Sequence, residues 1–252
     1  YLCTIIIHFE SLVMRIALLG YGKMGKEIEK IAVERGHSIS LKVNRTQLAA
    51  FNVDSLRDTD VAIEFSTPDA AYNNIQTCFK ANTPVVVGTT GWLDQLDSCI
   101  AQCKSEGAGL FYASNFSVGV NVFFEVNKKL AQLMAPYAEY DVNMEEIHHT
   151  QKLDAPSGTA ITLAEGVINN STKINSWVND SKNTTDSQVN IISKRIENVP
   201  GTHSITYNSP IDEIYIKHTA HNRKGFALGA VLAAEFMNKK SGFHGMANLL
   251  GL

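Results

Sequence analysis

An apolar strand that runs into a glycine-rich turn and then into a helix most limits how this chain can fold. The run Met14-Arg-Ile-Ala-Leu-Leu is followed by Gly20-x-Gly22-x-x-Gly25 and by an amphipathic segment that ends at Gly36. In this setting the first glycine permits a tight turn, the second lets the backbone approach a pyrophosphate, and the third lets the helix pack on the strand. The pattern predicts a dinucleotide-binding turn, and it suits a flavin, nicotinamide or adenosine nucleotide.

Short apolar strands continue to alternate with helical segments beyond this turn. Strands are predicted at 38–43, 61–65, 83–87 and 109–113, and helices at about 69–81 and 93–105. This alternation is typical of a doubly wound parallel sheet, in which ligands bind beyond the carboxyl ends of the strands. The predicted strand ends carry Gly, Ser, Thr and Asn, so we expect the nucleotide along that edge.

The pattern changes after a long helix predicted at about 117–135. Strands are predicted at 138–148, 188–197, 201–208 and 211–220, an irregular loop at 169–187, and a returning helix at 226–237. We therefore expect an α/β chain with two domains. Residues 14–117 with 222–252 would form a Rossmann-like dinucleotide-binding domain, and residues 118–221 an α+β domain on a mixed or antiparallel sheet.

Residues 1–13 lack both the positively charged start and the small-residue cleavage site of a signal peptide. Because the strand before the glycine-rich turn begins at Met14, we expect Met14 to be the initiator and the preceding residues to be an extension outside the fold. Their β-branched content leaves an additional edge strand as the alternative.

Composition excludes several classes of partner. The chain has 252 residues and a net charge of −3 without a basic run, which argues against nucleic acid, and no apolar run reaches the length of a membrane span. The four cysteines, Cys3, Cys78, Cys99 and Cys103, form no C-x-x-C pair, so a metal site is not expected. Buried free thiols indicate a reducing compartment and a cytoplasmic protein.

The segment from His148 to Thr159 holds two imidazoles, the ammonium group of Lys152, the carboxylate of Asp154 and a Ser-Gly-Thr turn. A predicted strand precedes it and a predicted helix follows, so Ser157 or Thr159 is a natural N-cap. Free N–H groups at the positive end of a helix suit a small anion, most simply a carboxylate. A solvated polar loop is the alternative, but the cationic cluster beside a helix start favours a binding site.

These residues closely resemble the 4-hydroxy-tetrahydrodipicolinate reductases, also named dihydrodipicolinate reductases, of bacterial lysine and diaminopimelate synthesis. The run from Glu146 to Ala160 is similar to the signature E-x-H-H-x-x-K-x-D-x-P-S-G-T-A of that family. Supporting matches lie at 65–68, 88–91, 114–121, 199–203 and 223–230. The resemblance extends from Met14 almost to the C-terminus, and it implies an NAD(P)H-dependent oxidoreductase that reduces 4-hydroxy-tetrahydrodipicolinate to tetrahydrodipicolinate as a homotetramer.

The resemblance also implies roles for individual residues. His148 is expected to be the catalytic donor or acceptor, and Lys152 the proton donor. The small dicarboxylate substrate is expected to be held by His149, Ser157, Gly158, Thr159 and Arg223. The expected cofactor-binding residues are Gly20, Tyr21, Gly22, Lys23, Met24, Gly25, Asn44, Arg45, Phe65, Gly88, Thr89, Thr90, Ala113, Ser114, Asn115 and Phe116.

The end of the second strand departs from the pattern of the family. An acidic residue usually stands there and would bind the ribose 2′-hydroxyl, whereas this chain has Asn44 and Arg45. A guanidinium group can pair with a 2′-phosphate, and Lys23 could add a second cation. We therefore expect NADPH to be preferred, with NADH still usable. The glycine-rich turn, Gly20-x-Gly22-x-x-Gly25, is also shorter than the G-x-x-G-x-x-G common in the family.

Two other functions compete with this interpretation. A reductase of the aspartate-semialdehyde type would need a nucleophilic cysteine at the domain interface, and no cysteine here follows a strand in a suitable loop. A dinucleotide-binding sensor without catalysis would not need Lys152 or His148, and this chain has both.

Overall fold

The computed structural model describes residues 13–47, 50–222 and 224–252. The strands are β1 (Arg15–Leu19), β2 (Ser38–Val43), β3 (Val61–Glu64), β4 (Val85–Val87), β5 (Gly109–Tyr112), β6 (Asp141–His148), β7 (Ser176–Asn179), β8 (Gln188–Arg195), β9 (Gly201–Asn208), β10 (Glu213–Ala220) and β11 (Gly242–His244). The helices are α1 (Lys23–Glu34), α2 (Pro68–Lys80), α3 (Leu96–Glu106), α4 (Val118–Met134), α5 (Gly158–Ile168), α6 (Lys224–Met237) and α7 (Met246–Leu250). Short 3₁₀ helices lie at Val53–Leu56 and Leu93–Gln95.

The chain forms two compact units. One contains the residues up to Ser117 together with Phe226–Leu252, and the other is Val118–Gly225. The predicted extension at 1–13 lies, except for Val13, outside the described residues. Among the helices that the structure describes, none combines the length and apolar character needed to span a membrane.

The first unit is built on a six-stranded sheet in the order β11-β5-β4-β3-β1-β2, and all neighbouring strands are parallel. The strand order reverses at β1, because β2 lies on one side of it and β3 on the other. All four residues of β3 and all three of β4 are buried, as expected for a parallel sheet covered on both faces. The predicted doubly wound α/β architecture is confirmed, and the reversal at β1 is where such sheets bind ligands.

The second unit is built on a five-stranded mixed sheet in the order β10-β9-β6-β8-β7. β9 is antiparallel to β6 and β10, whereas β8 is parallel to β6 and β7. Alternate residues of the strands pack against residues of α4 and α5 in one apolar core. This core includes Val142, Met144, Leu163, Ile191 and Ile205. The mixed sheet predicted from the sequence is confirmed.

The sequence does not predict two of the strands and one of the helices. The irregular loop expected at 169–187 contains β7, and the returning helix is followed by β11 and α7. β7 has four residues in an Asn- and Ser-rich stretch, and β11 has three residues beginning at Gly242. Such short segments carry too little periodicity to predict, since their strand conformation comes from pairing with β8 and β5 respectively.

Substitution of Leu163 by alanine tests the core of the second unit. Leu163 in α5 is 1% exposed, so we expect Leu163→Ala to lower the free energy of unfolding by about 2–5 kcal/mol, because the lost contacts leave a cavity. Leu153→Ala is the matched control, since Leu153 is 97% exposed and its loss should cost less than about 0.5 kcal/mol. Urea unfolding followed by circular dichroism measures both, and equal losses would contradict this account of the core.

Candidate active site

The glycine-rich turn between β1 and α1 is shaped by close backbone packing. Gly20 has φ +103°, and a Cβ there would clash with the backbone of Phe65. A Cβ on Gly25 would lie 2.5 Å from the carbonyl oxygen of Gly20. A Cβ on Gly22, at the N-cap of α1, would meet nothing within 4 Å. Gly20 and Gly25 are therefore required by packing, whereas Gly22 leaves open space beside the helix N-terminus, as a bound pyrophosphate requires.

The other predicted residues of this turn have different surroundings. Tyr21 is half-buried, and its hydroxyl donates to Glu29, which also pairs with Lys42 at 2.6 Å. The hydrogen bond from Lys42, and to a smaller extent that from Tyr21, holds the pKa of the Glu29 carboxyl below its usual range. Lys23 is exposed and Met24 is half-buried at the start of α1.

The two residues after β2 are used differently. The side-chain oxygen of Asn44 accepts hydrogen bonds from the backbone nitrogens of Thr46 at 3.0 Å and Gln47 at 3.2 Å. It also accepts from the Thr46 hydroxyl at 2.7 Å. Asn44 therefore stabilises its own turn. Arg45 has an exposed side chain on that turn.

Three further predicted segments meet beyond the carboxyl ends of β3, β4 and β5. The rings of Phe65 and Phe116 lie 5.5 Å apart, and a Cβ on Gly88 would clash with the Phe65 ring. The carbonyl oxygen of Thr89 accepts a hydrogen bond from the Trp92 indole at 2.7 Å. The remaining members of this group are the buried Ala113, the half-buried Asn115, and the exposed Thr90 and Ser114. Because Gly20 also packs on Phe65, this group adjoins the glycine-rich turn.

In the second unit, one face of the sheet changes from apolar to polar along β6. Val142 and Met144 belong to the apolar core, and the next two residues on that face are Glu146 and His148. The strand register sets Glu146 opposite Ser193 of β8 and His203 of β9. His148 lies opposite Arg195 of β8 in the same way. The polar end of the sheet thus brings together residues from three strands.

Glu146 is completely buried and accepts several hydrogen bonds. The backbone nitrogen of Ser157 lies 3.1 and 3.2 Å from its two oxygens, and the Ser193 hydroxyl donates to Oε1 at 2.9 Å. Arg195 Nη2 donates to Oε1 at 3.3 Å. Burial alone would raise the pKa of Glu146, but the adjacent His148 ring and hydrogen bonds from Ser157 and Ser193 outweigh it and hold the pKa far below its usual range. The carboxyl group is therefore ionised.

Two buried histidines face this carboxylate. The rings of His148 and His203 meet edge to face, with centroids 5.0 Å apart. His148 Nδ1 lies 3.2 Å from Glu146 Oε2, within ion-pair distance but without the alignment of a hydrogen bond. His203 Nε2 lies 3.2 Å from the Ser157 hydroxyl. Burial, followed by the proximity of His148, lowers the pKa of His203 to about 3, so this ring is neutral near pH 7.

The same three side chains could in principle surround a cation. Glu146, His148 and His203 each offer one ligand atom, and these atoms lie within 4.8 Å of one another. A carboxylate with two imidazoles is a ligand set that suits zinc. However, the guanidinium of Arg195 and the hydrogen-bond donors on Glu146 account for the group as a polar network, so no metal is proposed here.

The loop after β6 is attached to the sheet by Arg195. Its guanidinium donates to the carbonyl oxygens of Lys152 at 3.3 Å and Asp154 at 2.6 Å. The Lys152 ammonium donates to both carboxylate oxygens of Asp154, at 2.8 Å each. The hydrogen bond from Lys152 keeps the pKa of Asp154 below its usual range. The ammonium group of the predicted proton donor thus lies beside a carboxylate that is mostly exposed.

Helix α5 begins immediately after this loop. Ser157 is its N-cap, and the hydroxyl oxygen accepts a hydrogen bond from the Ala160 nitrogen at 3.2 Å. Since the Ser157 nitrogen is bound to Glu146, the polar groups of Ser157 are used within the protein. Gly158 is exposed, with nothing within 4 Å of a Cβ placed on it, and Thr159 is half-buried. The first turn of the helix thus opens outward at Gly158.

His149 lines a surface depression with the turns at 149–151 and 197–200 and with residues 221–222. Its Nδ1 is buried without a hydrogen-bond partner among the described residues. The predicted anchor Arg223 follows Asn222 in the chain and lies outside the described residues. The structure therefore places His149 at an open surface, whereas His148 points into the polar network.

The sequence alone predicts no role for Glu146, Ser193, Arg195 or His203. A signal for Glu146 was present, because it shares the alternating buried face of β6 with Val142 and Met144. A carboxylate in that series requires partners. Its partners come from β8 and β9, and only the strand register identifies them.

The comparisons with known proteins agree with this geometry. The family described as "Dihydrodipicolinate reductase, N-terminus" matches residues 14–116, and "Dihydrodipicolinate reductase, C-terminus" matches residues 119–250. The chain belongs to the dihydrodipicolinate reductase family. Its membership confirms the resemblance read from the sequence, and the N-terminal family region accounts for pyridine-nucleotide binding by the first unit.

Relatives in this family are similar over nearly the whole chain. The 4-hydroxy-tetrahydrodipicolinate reductase of Christiangramia forsetii is 51% identical over 237 residues, which is 94% of this chain and 98% of that protein. The reductase of the same name from Thermosipho africanus is 34% identical, with coverage of 94% and 98%. A dipicolinate-bound dihydrodipicolinate reductase from Paenisporosarcina sp. TG-14 has the same fold, with a TM-score of 0.70, 24% identity, and coverage of 94% and 99%.

The neutral, buried His203 should make the protein sensitive to mild acid. Its pKa is about 3 in the folded state and about 6.5 when unfolded, so the unfolded state gains a proton first as the pH falls below 6.5. Stability should then fall with a slope approaching ~1.4 kcal/mol per pH unit. We expect His203→Asn to flatten this slope between pH 6.5 and 5, where the Glu146 carboxyl adds little because its unfolded pKa is near 4.5.

Urea unfolding at half-unit pH steps measures the slope. His221→Asn is the control, since His221 is exposed, and it should keep the slope of the unsubstituted protein. Parallel curves for His203→Asn and the unsubstituted protein would show that His203 does not cause the acid sensitivity.

Proposed function

We propose that this chain catalyses the NAD(P)H-dependent reduction of 4-hydroxy-tetrahydrodipicolinate to tetrahydrodipicolinate in lysine and diaminopimelate synthesis. The family match over residues 14–116 and 119–250 carries the proposal, since relatives named for this reaction are 51% and 34% identical. The site geometry supports it. The first unit has a nucleotide turn, and the second has a lysine and a histidine beside an open helix start.

Within this proposal, His148 and Lys152 act on the reacting ring. A bound pyridine nucleotide supplies the hydride. The 4-hydroxyl group of the substrate leaves as water, and reduction of the remaining imine-type ring also requires a proton and a cation near the developing negative charge. The Lys152 ammonium lies 2.8 Å from both oxygens of Asp154 and can exchange this partner for the substrate. His148, at the end of β6, stabilises or relays the charge.

Two substrate carboxylates need fixed anchors. The first turn of α5, at Gly158 and Thr159, offers one, because N–H groups at a helix N-terminus favour an anion. His149 and Arg223 are the proposed partners for the second carboxylate. Ser157 contributes by holding the turn, since its nitrogen binds Glu146 and its hydroxyl caps α5.

The proposed cofactor preference rests on the turn after β2. Because Asn44 caps this turn, the exposed Arg45 is the residue there that can bind a ribose 2′-phosphate, with Lys23 as a second cation. No acidic side chain stands at this strand end to repel the phosphate. NADPH is therefore the preferred cofactor in this proposal, and NADH remains usable through the shared pyrophosphate and nicotinamide contacts.

A homotetramer joined through the second sheet belongs to the same proposal. Ile192, Ile214 and Tyr215 are exposed apolar side chains on strands of that sheet, and such residues are common in subunit interfaces. We also propose a cytoplasmic location, because Cys78 and Cys103 are buried free thiols, as expected in a reducing compartment.

The described cysteines do not suit the rival aspartate-semialdehyde chemistry. Cys78, Cys99 and Cys103 lie buried on helices, and desolvation raises the pKa of Cys103 to about 11 and that of Cys78 further. A nucleophilic cysteine needs a lowered pKa and access to substrate. The remaining rival function, a dinucleotide-binding sensor without catalysis, is excluded if the protein turns over the substrate.

Alanine at Lys152 or His148 should remove most of the activity. We expect kcat to fall by about 10²–10⁴-fold in each variant, with a modest change in the KM for substrate, because proton transfer and charge stabilisation are lost. A coupled assay that supplies the product of the preceding synthase and follows NADPH oxidation measures this. Lys173→Ala is the control, since the Lys173 ammonium group donates to the carbonyl oxygen of Ala138 and to the carboxylate of Asp141, away from the proposed site. A folded Lys152 or His148 variant with near-normal kcat would remove that residue from the mechanism.

The cofactor preference is tested at Arg45. In the unsubstituted protein kcat/KM should be higher for NADPH than for NADH, and Arg45→Ala should reduce that ratio about tenfold or more, because a charged hydrogen bond is worth about 1.5–3 kcal/mol. Arg57→Ala is the matched control, an exposed arginine of the same unit that pairs with Asp54. A ratio that Arg45→Ala leaves intact would exclude Arg45 from the cofactor site.

A further inference from the structure

Glu146 lies beside His148 and contacts both the N-cap of α5 and Arg195, which binds the loop that carries Lys152. We propose that Glu146 is a positioning residue that fixes the tautomer of His148 while it holds the start of α5 and, through Arg195, the loop that carries Lys152. This inference rests on the proposed function for the roles of His148 and Lys152. The arrangement of the carboxylate itself is a property of the structure.

The two oxygens of Glu146 have different partners. Oε1 accepts from the Ser193 hydroxyl at 2.9 Å, the Ser157 nitrogen at 3.1 Å and Arg195 Nη2 at 3.3 Å. The Ser157 nitrogen and Arg195 Nη2 can only donate, so they fix Oε1 as an acceptor. The single proton of the Ser193 hydroxyl faces both Oε1 and Asn179 Oδ1, each at 2.9 Å. Oε2 faces His148 Nδ1 at 3.2 Å and His203 Nε2 at 3.8 Å, and also receives the Ser157 nitrogen at 3.2 Å.

The position of Oε2 determines which nitrogen of His148 carries the proton. A carboxylate beside Nδ1 stabilises the neutral ring that carries its proton on that nitrogen. Nε2 is then the unprotonated nitrogen, which can accept a hydrogen bond or a proton. His148 is buried and a Cβ on Gly201 would lie 3.2 Å from its Nε2, so the glycine leaves room for the ring. Orientation of an imidazole by a buried carboxylate is a general device in catalytic sites.

The position of Oε1 connects the carboxylate to the loop. Arg195 Nη2 donates to Glu146 Oε1 and to the carbonyl oxygen of Asp154, and Nε of the same guanidinium donates to the carbonyl oxygen of Lys152. Ser157 links Glu146 to the N-cap of α5. One buried charge thereby sets the positions of the imidazole, the lysine loop and the helix start.

Glu146→Gln separates these roles. The amide oxygen should take the Oε1 position, where the Ser157 and Arg195 nitrogens donate, and the amide nitrogen should then face His148 Nδ1 as a donor. The loop and helix contacts are kept, but His148 is forced to carry its proton on Nε2. We expect kcat to fall by about 10- to 1,000-fold, because the wrong tautomer is presented. Affinity for pyridine-2,6-dicarboxylate, used as a probe of the anion anchors, should stay within about threefold by calorimetry, because those anchors remain.

Two further measurements complete the test. Glu145→Gln is the matched control, since Glu145 precedes Glu146 in β6, pairs with Lys194 and is partly exposed, and its kcat should be unchanged. Imidazole ¹⁵N NMR should show His148 protonated on Nδ1 in the unsubstituted protein and on Nε2 in Glu146→Gln, with the signals assigned by their absence in His148→Ala.

The inference is overturned if His148 carries its proton on Nε2 in the unsubstituted protein, a reading that does not require Glu146→Gln to fold. It is also overturned if Glu146→Gln keeps normal kcat, or if kcat, probe affinity and melting temperature fall together, since that pattern describes only a loss of structure. Absence of turnover in the unsubstituted protein would instead reject the proposed function, while the NMR reading would still decide the role of Glu146.

Discussion

The ionised carboxylate of Glu146, completely buried at one end of a sheet face, is the constraint around which the second unit is arranged. Removing a charge of this kind from water costs several kcal/mol even after relaxation of the protein. The cost is offset by hydrogen-bond donors on β8 and at the N-cap of α5, and by the imidazole of His148 within ion-pair distance at the end of β6. Each donor must be held at hydrogen-bond distance, so the carboxylate fixes the geometry of elements far apart in the sequence.

The sequence predicted the regular elements well because most of them are long enough to show periodicity. β2 and β9 begin and end where expected, and α4 differs from its predicted bounds by one residue at each end. The elements not predicted are β7, β11 and α7, and the conformation of the two strands depends on the strands beside them. Fold class was therefore accessible from local pattern, whereas strand number was not.

The candidate site shows the same division. The segment from His148 to Thr159 is continuous, so its cluster of polar residues could be identified without knowing the fold. Arg195 and His203 are distant in the sequence and join the site only through the register of β6 with β8 and β9. At the end of β2 the sequence treats Asn44 and Arg45 alike, but the structure shows that Asn44 is engaged in its own turn. Hydrogen-bond partners of this kind cannot be inferred from residue type.

The sheet of the first unit is completed by β11, in which Gly242 pairs with Gly109 of β5 after the whole second unit has intervened. On the ribosome, β5 is therefore made long before its outer neighbour exists. Until residues 242–244 have been translated, the backbone N–H and C=O groups on the outer side of β5 form an unpaired edge, which is a template for association with other nascent chains. The second unit is continuous in the chain, so its strands do not depend on a segment translated after another unit. Chaperone demand during synthesis should accordingly centre on the first unit, for a time set by the length of the inserted one.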